Sequence, residues 1–141
     1  MHRFFIDAAF LIALLQEDDE HHAQAVRLGD ELSARRRVMF VTTHLVFAEV
    51  LAYVSRGGPR IRAAAILQVA ELAGRSDCEI LPLTEELFAR GINLYSSRPD
   101  QRYSLTDCVS MEICRDLNIT EVLTSDTDFE HEGFHILLAD D

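Results

Sequence analysis

The sequence predicts an α/β domain: three layers, α/β/α, around a central, mostly parallel sheet of about five strands. Two observations predict it. Short runs rich in β-branched and aromatic residues, such as Val38-Met39-Phe40-Val41, alternate with helical stretches of roughly 10–18 residues. The chain of 141 residues also has the length of one domain, with no repeat, low-complexity run or linker to divide it, so residues 1–141 are expected to form one unit.

The elements follow in order. Residues 3–6 (Arg-Phe-Phe-Ile) are the first strand, and 9–16 continue as a helix. Glu17-Asp18-Asp19-Glu20 reads as the solvated start of a second helix that runs to about Arg36. Residues 38–41 are a second buried strand. Thr42 or Thr43 caps the helix over 44–55. Gly57-Gly58-Pro59 breaks that helix and another covers 60–73. Residues 79–81 are a third strand, Thr84-Glu85-Glu86 opens a helix to about Ser96, and 98–103 form a polar loop. A helix over 105–117, a fourth strand at 121–123 and a fifth at 135–137 complete the alternation.

Composition excludes several chemistries. All 13 basic residues are Arg, so no Walker-A, Schiff-base or general-base lysine exists. Three Cys without a CxxC pair are neither a disulfide framework nor a zinc site and suit a reducing cytoplasm. No signal peptide is expected, and the longest apolar run, residues 8–15, is far short of the roughly 20 that a membrane span needs. The net charge of −11 argues against a protein that holds nucleic acid simply by being basic. That charge is unevenly spread. Residues 35–62 carry six Arg and one acid, Glu49, whereas 104–141 carry one Arg and ten acids.

In a doubly wound sheet, ligands sit at the carboxyl ends of the strands. Asp7 directly follows the first strand and Asp126 lies just past the fourth, so both project at one rim. Glu49 sits in an otherwise apolar helix, with Leu45, Val46, Ala52 and Tyr53 as its helical neighbours and no local basic partner. Asp107 enters the apolar segment that begins at Leu105. Each acid alone has an ordinary explanation: a helix cap for Asp7 and Asp126, a first-turn acid for Asp107, a distant Arg partner for Glu49. Together at one rim they would repel unless a cation neutralised them. Oxygen ligands without His or Cys select Mg²⁺ or Mn²⁺.

These segments resemble the PIN-domain nucleases, and among them the VapC-type toxins. The resemblance rests on Phe5-Ile6-Asp7, on Thr42-Thr43 through Glu49, on Tyr103-Ser104-Leu105-Thr106-Asp107-Cys108, on Leu123-Thr124-Ser125-Asp126-Thr127-Asp128-Phe129 and on the tail from Glu130 to Ile136. It implies a PIN-like fold and a Mg²⁺- or Mn²⁺-dependent endoribonuclease that hydrolyses RNA phosphodiesters by metal-activated water. Catalytic and metal-binding roles pass to Asp7, Glu49, Asp107 and Asp126, with Asp128 as a fifth candidate ligand. Thr124 resembles the hydroxyl that accompanies the last acid, and Asp100 stands where such proteins often have an acid. The resemblance also implies a cognate antitoxin and self-association as a homodimer or larger homo-oligomer. One departure stands out: Ala8-Ala9 follow Asp7 where the family has a small polar residue. It motivates an alternative, a degenerate PIN module that binds RNA or protein without cleavage.

Arg56, Arg60 and Arg62 are candidate phosphate contacts beside the groove, with a solvated helix start as the plainer reading. His21-His22, His44, Cys108 with Cys114, the stretch around 63–72 and Arg35-Arg36-Arg37 are read as surface or packing residues. A receiver domain or aspartyl phosphatase is disfavoured, since the first needs a Lys and the second an Asp where Ala9 stands.

Overall fold

The computed structural model describes residues 1–139, and the last two positions of the expected 1–141 domain lie outside the described residues. In β1 (His2–Ile6), Phe4, Phe5 and Ile6 are all buried, the pattern of a parallel strand covered on both faces. β2 (Val38–Thr43) pairs with it through Phe4↔Phe40 and Phe5↔Val41. On its other side β4 (Glu121–Leu123) pairs through Phe5↔Val122 and Ile6↔Leu123. β3 (Cys78–Leu81) lies outside β2 and β5 (His135–Ile136) outside β4, so the order is β3-β2-β1-β4-β5. Every pairing is parallel, so the sheet is wholly rather than mostly so.

From β1 the chain proceeds outward to β2 and β3, then crosses back to β4 and β5. The point of divergence lies between β1 and β4, and the carboxyl ends of those two strands are where such a sheet opens a crevice. α1 (Ala8–Leu15), α2 (His22–Ser33), α3 (His44–Val54) and α4 (Pro59–Gly74) pack among themselves, and α5 (Glu85–Ser97) pairs with α6 (Leu105–Asp116) as the other layer. Gly91 lets α5 and α6 approach. A Cβ there would stand 2.6 Å from Val109 Cγ2 and 3.2 Å from Leu105 Cδ1, the residues that flank Asp107 in sequence. Among the described residues no helix is long and apolar enough to cross a membrane.

Two expectations are corrected. The acid run 17–20 does not start a helix. Asp19 Oδ1 accepts the His21 amide at 2.8 Å and Asp19 carbonyl accepts the His22 amide at 3.0 Å, so the run forms turns and α2 begins at His22. An Asp that bonds its own backbone two residues on favours a turn over a helix. That helix also ends at Ser33 rather than near Arg36, and the chain reverses through Arg37 at φ 59°. A short α7 (Asp128–His131) adds an element that the sequence pattern does not predict. It closes in a Schellman turn: Phe134 N–H donates to Phe129 O at 3.0 Å and Gly133 N–H to Glu130 O at 3.0 Å, with Gly133 at φ 90°. The Phe129 and Phe134 rings meet edge to face across that turn.

Candidate metal centre

Asp7 leaves the end of β1 at the N-cap position of α1, yet its side chain caps nothing. Its backbone N–H donates to Leu123 O at 3.2 Å, which holds it against the end of β4. The carboxylate is buried. Thr124 Oγ1 donates to its Oδ2 at 2.8 Å, while Asp7 Oδ1 has no hydrogen-bond partner. The same Thr124 oxygen accepts the Asp126 amide at 3.1 Å. Asp126 Oδ1 in turn accepts the Asp128 amide at 2.9 Å, which shapes the entry to α7. The third acid arrives from the other layer. Asp107 stands in a capping box at the start of α6: its amide donates to Ser104 Oγ at 3.0 Å and its Oδ2 accepts the Ser104 amide at 3.0 Å. The capping role and the rim position thus hold together for Asp107.

One carboxylate oxygen each from Asp7, Asp107 and Asp126 lies within 4.8 Å of the other two. At an effective dielectric of ~20, each pair of unit charges at that distance repels by about 3–4 kcal/mol. The pKa values register the strain. Burial first, then the Asp107 charge, pushes Asp7 up to about 7 against the lowering effect of the Thr124 hydrogen bond. Burial pushes Asp107 up to about 6, with Asp126 and Glu49 adding to the rise. Among the described residues no Arg pairs with any of these acids. A buried anionic oxygen with no donor, among oxygen ligands only, is chemistry that fits a hard divalent cation.

Glu49 is half-buried on α3 and stands outside the tight group of three, though its charge acts on both Asp7 and Asp107. Its own pKa is raised by burial and by Asp126, and lowered by a hydrogen bond with Thr106. Asp128 is also outside the group. Its pKa is raised by burial and Asp126, and its carboxylate lies 3.9 Å from His131 Nδ1. Asp100 is an exposed turn residue outside any such cluster in the described residues. Arg56, Arg60 and Arg62 are exposed around the α3–α4 turn. Arg62 donates to Ser55 O at 3.0 Å, and Arg56 and Arg60 have no acidic partner among the described residues. Sequence reasoning does not single out Thr106 or Glu132. Glu132 follows α7 and collects Arg98, Arg115 and Tyr103, none of them a neighbour in sequence, so no local pattern marks it.

The comparisons with known proteins agree with this fold. The fold is similar to that of the Mycobacterium tuberculosis VapC20 toxin, which cleaves the sarcin–ricin loop: TM-score 0.79, 24% identity, 93% of this chain and 95% of that one covered. It is similar to VapBC2 from Rickettsia felis, solved with a DNA fragment from its promoter, at TM-score 0.64 and 10% identity over 95% and 96% of the two chains. PAE2754 from Pyrobaculum aerophilum matches at TM-score 0.61 and 15% identity over 96% and 90%. No curated protein sequence matches the chain. The sequence profile of the PIN domain covers residues 4–134, from the first strand through the α7 turn, and the chain therefore belongs to the PIN domain family.

Proposed function

We propose that this chain is a Mg²⁺- or Mn²⁺-dependent endoribonuclease and the toxin component of a toxin–antitoxin pair. The observation that carries the reading is the group Asp7, Asp107 and Asp126, with the buried Asp7 Oδ1 left without a donor. These three carboxylates would hold the ion, with Glu49 and Asp128 beside them. A bound Mg²⁺ or Mn²⁺ supplies the Lewis-acid stabilisation that phosphodiester hydrolysis needs. The protein's own part is to keep three acids close. Thr124 orients Asp7 and the Asp126 backbone, the Ser104 cap orients Asp107, and Thr106 steadies Glu49. Arg56, Arg60 and Arg62 would contact phosphates of the RNA and offset the negative field of the rim.

The similar folds include a sarcin–ricin-loop-cleaving toxin and a VapBC2 protein, which supports an antitoxin partner. A cleft of roughly 470 Å³ between α1, α2 and α4, lined by Phe10, Leu14, Val26, Leu67 and Leu72, offers that partner an apolar seat. Phe88, Ile92 and Tyr95 form an exposed stripe on α5 at helical spacing, suited to a second copy of the chain. Free Cys78, Cys108 and Cys114 fit work in a reducing cytoplasm.

The test is cleavage of RNA in Mg²⁺ or Mn²⁺ by wild type, Asp7→Asn and Asp107→Asn. Cleavage by wild type alone is expected. Equal activity in all three proteins, or none in any, sinks the nuclease reading.

A further inference from the structure

Glu132 sits at the C-terminal cap of α7, and its side chain is only 5% exposed. A carboxylate that buried requires compensation, and it is compensated in full. Oε2 accepts Arg98 Nε at 2.9 Å and the Tyr103 hydroxyl at 2.9 Å. Oε1 accepts Arg115 Nη2 at 2.7 Å and Arg98 Nη2 at 3.3 Å. These bonds, set against the cost of burial, hold its pKa down to about 2. The Arg115 guanidinium also lies over the ring of Phe134, two residues beyond Glu132.

The network joins two places that matter to the acid group, the start of α6 and the end of α7, with Arg98 from the end of α5 and Arg115 from the last turn of α6 completing it. Tyr103 immediately precedes Ser104, whose amide and hydroxyl cap Asp107. Glu132 itself ends the short helix whose entry is fixed by the bond from the Asp128 amide to Asp126 Oδ1. Thr124 ties Asp7 to Asp126. Nothing in that tie reaches Asp107, which arrives on α6 from the other layer. We infer that Glu132 is a positioning residue: by holding Tyr103, Arg98 and Arg115 it fixes the start of α6 against the α7 turn, and so sets the separation of Asp107 from Asp126. The inference rests on the metal-site reading above only for its consequence, the binding of the ion.

The variants are Glu132→Gln, which sets an amide NH₂ against a guanidinium, and Tyr103→Phe, which removes one bond. Leu32→Ala, at a buried position on α2 in the opposite helical layer, serves as a control that lowers stability without touching the network. Two measurements are made on the full chain: amide hydrogen exchange by segment, and calorimetric titration with Mn²⁺. In Glu132→Gln, exchange over residues 104–108 and 126–129 is expected to quicken together while β1 and β2 stay protected. The Mn²⁺ dissociation constant is expected to rise about tenfold. Tyr103→Phe should show the same pattern more weakly, and Leu32→Ala should leave Mn²⁺ affinity unchanged. The inference is overturned if exchange in Glu132→Gln rises evenly across the molecule, or if Mn²⁺ binds it as tightly as wild type while its Tm falls. Should wild type bind no Mn²⁺, the metal reading fails, and the exchange pattern alone upholds or overturns the positioning role.

Discussion

The Thr124 hydroxyl donates to Asp7 Oδ2 at 2.8 Å across 117 positions of sequence. Both side chains are buried, and the same Thr124 oxygen accepts the Asp126 amide, so one hydroxyl joins the ends of the two central strands. Thr124→Val keeps the shape and removes both bonds. Leaving a buried acceptor unmade costs about 1–3 kcal/mol. The expected result is a lower Tm together with weaker Mn²⁺ binding, and Thr124→Ser should recover most of both in thermal denaturation and calorimetry.

Stability of the metal-free protein should fall as pH rises through the range in which Asp7 ionises. The folded-state pKa is about 7 against an ordinary 3.8, so between those values the native state binds more protons than the unfolded one. With that sign, the native state loses stability relative to the unfolded chain as pH rises from about 4 to about 7, by up to about 4 kcal/mol from this group. Asp7→Asn removes the effect. In a chelator, thermal melts should show the variant more stable than wild type near pH 8 and no such advantage near pH 4. Added Mn²⁺ should raise the Tm of wild type at pH 8 and leave the variant unmoved.

The acids should separate into two classes. Asp7→Asn, Asp107→Asn and Asp126→Asn each remove a member of the group within 4.8 Å and should abolish measurable Mn²⁺ binding. Glu49→Gln removes a charge that acts from outside the group and should weaken binding by about tenfold. Titration calorimetry of the four variants checks the order, and equal losses in all four would place Glu49 among the direct ligands.

Arg60→Ala and Arg62→Ala should weaken RNA binding uniformly across sequences. If each Arg neutralises one phosphate, each substitution should flatten the slope of log K against log salt by about 0.7 for single-stranded RNA. An unchanged slope removes these residues from the interface and returns them to the role of an exposed helix start.

Gly133 turns the chain at φ 90°, where an L side chain is strained. Gly133→Ala meets no atom within 4 Å, so its cost is conformational alone, about 1 kcal/mol, and a small drop in Tm should be its main effect.

The strands are legible because a buried parallel strand announces itself as an apolar run, as in Phe4-Phe5-Ile6 and Val122-Leu123. Once those runs alternate with helices, the strand ends follow, and with them Asp7 and Asp126 at one rim. Asp107 is legible for the same reason, as a lone acid entering an apolar helix. The acid run 17–20 misleads because local bonds at Asp19, whose side chain accepts the His21 amide and whose carbonyl accepts the His22 amide, make turns where the run of charges reads as a helix start. Glu49 is legible as an unexplained acid, but its distance from the other three depends on how α3 leans, which is a matter of packing. Glu132 is not legible at all, since its partners lie between 17 and 34 positions away. Ala8-Ala9 suggest a missing polar neighbour beside Asp7, and Thr124 supplies one from the end of β4.

The bond between Thr124 and Asp7 also has a bearing on the order of synthesis. A ribosome that has made Asp7 must add 117 further residues before Thr124 exists to engage it. A prematurely terminated chain that stops before β4 can carry the first acid, Glu49 and even the Asp107 helix, but never the assembled group. Fragments left by interrupted translation therefore lack the three-carboxylate group, which only a chain read past its fourth strand to Asp126 can assemble.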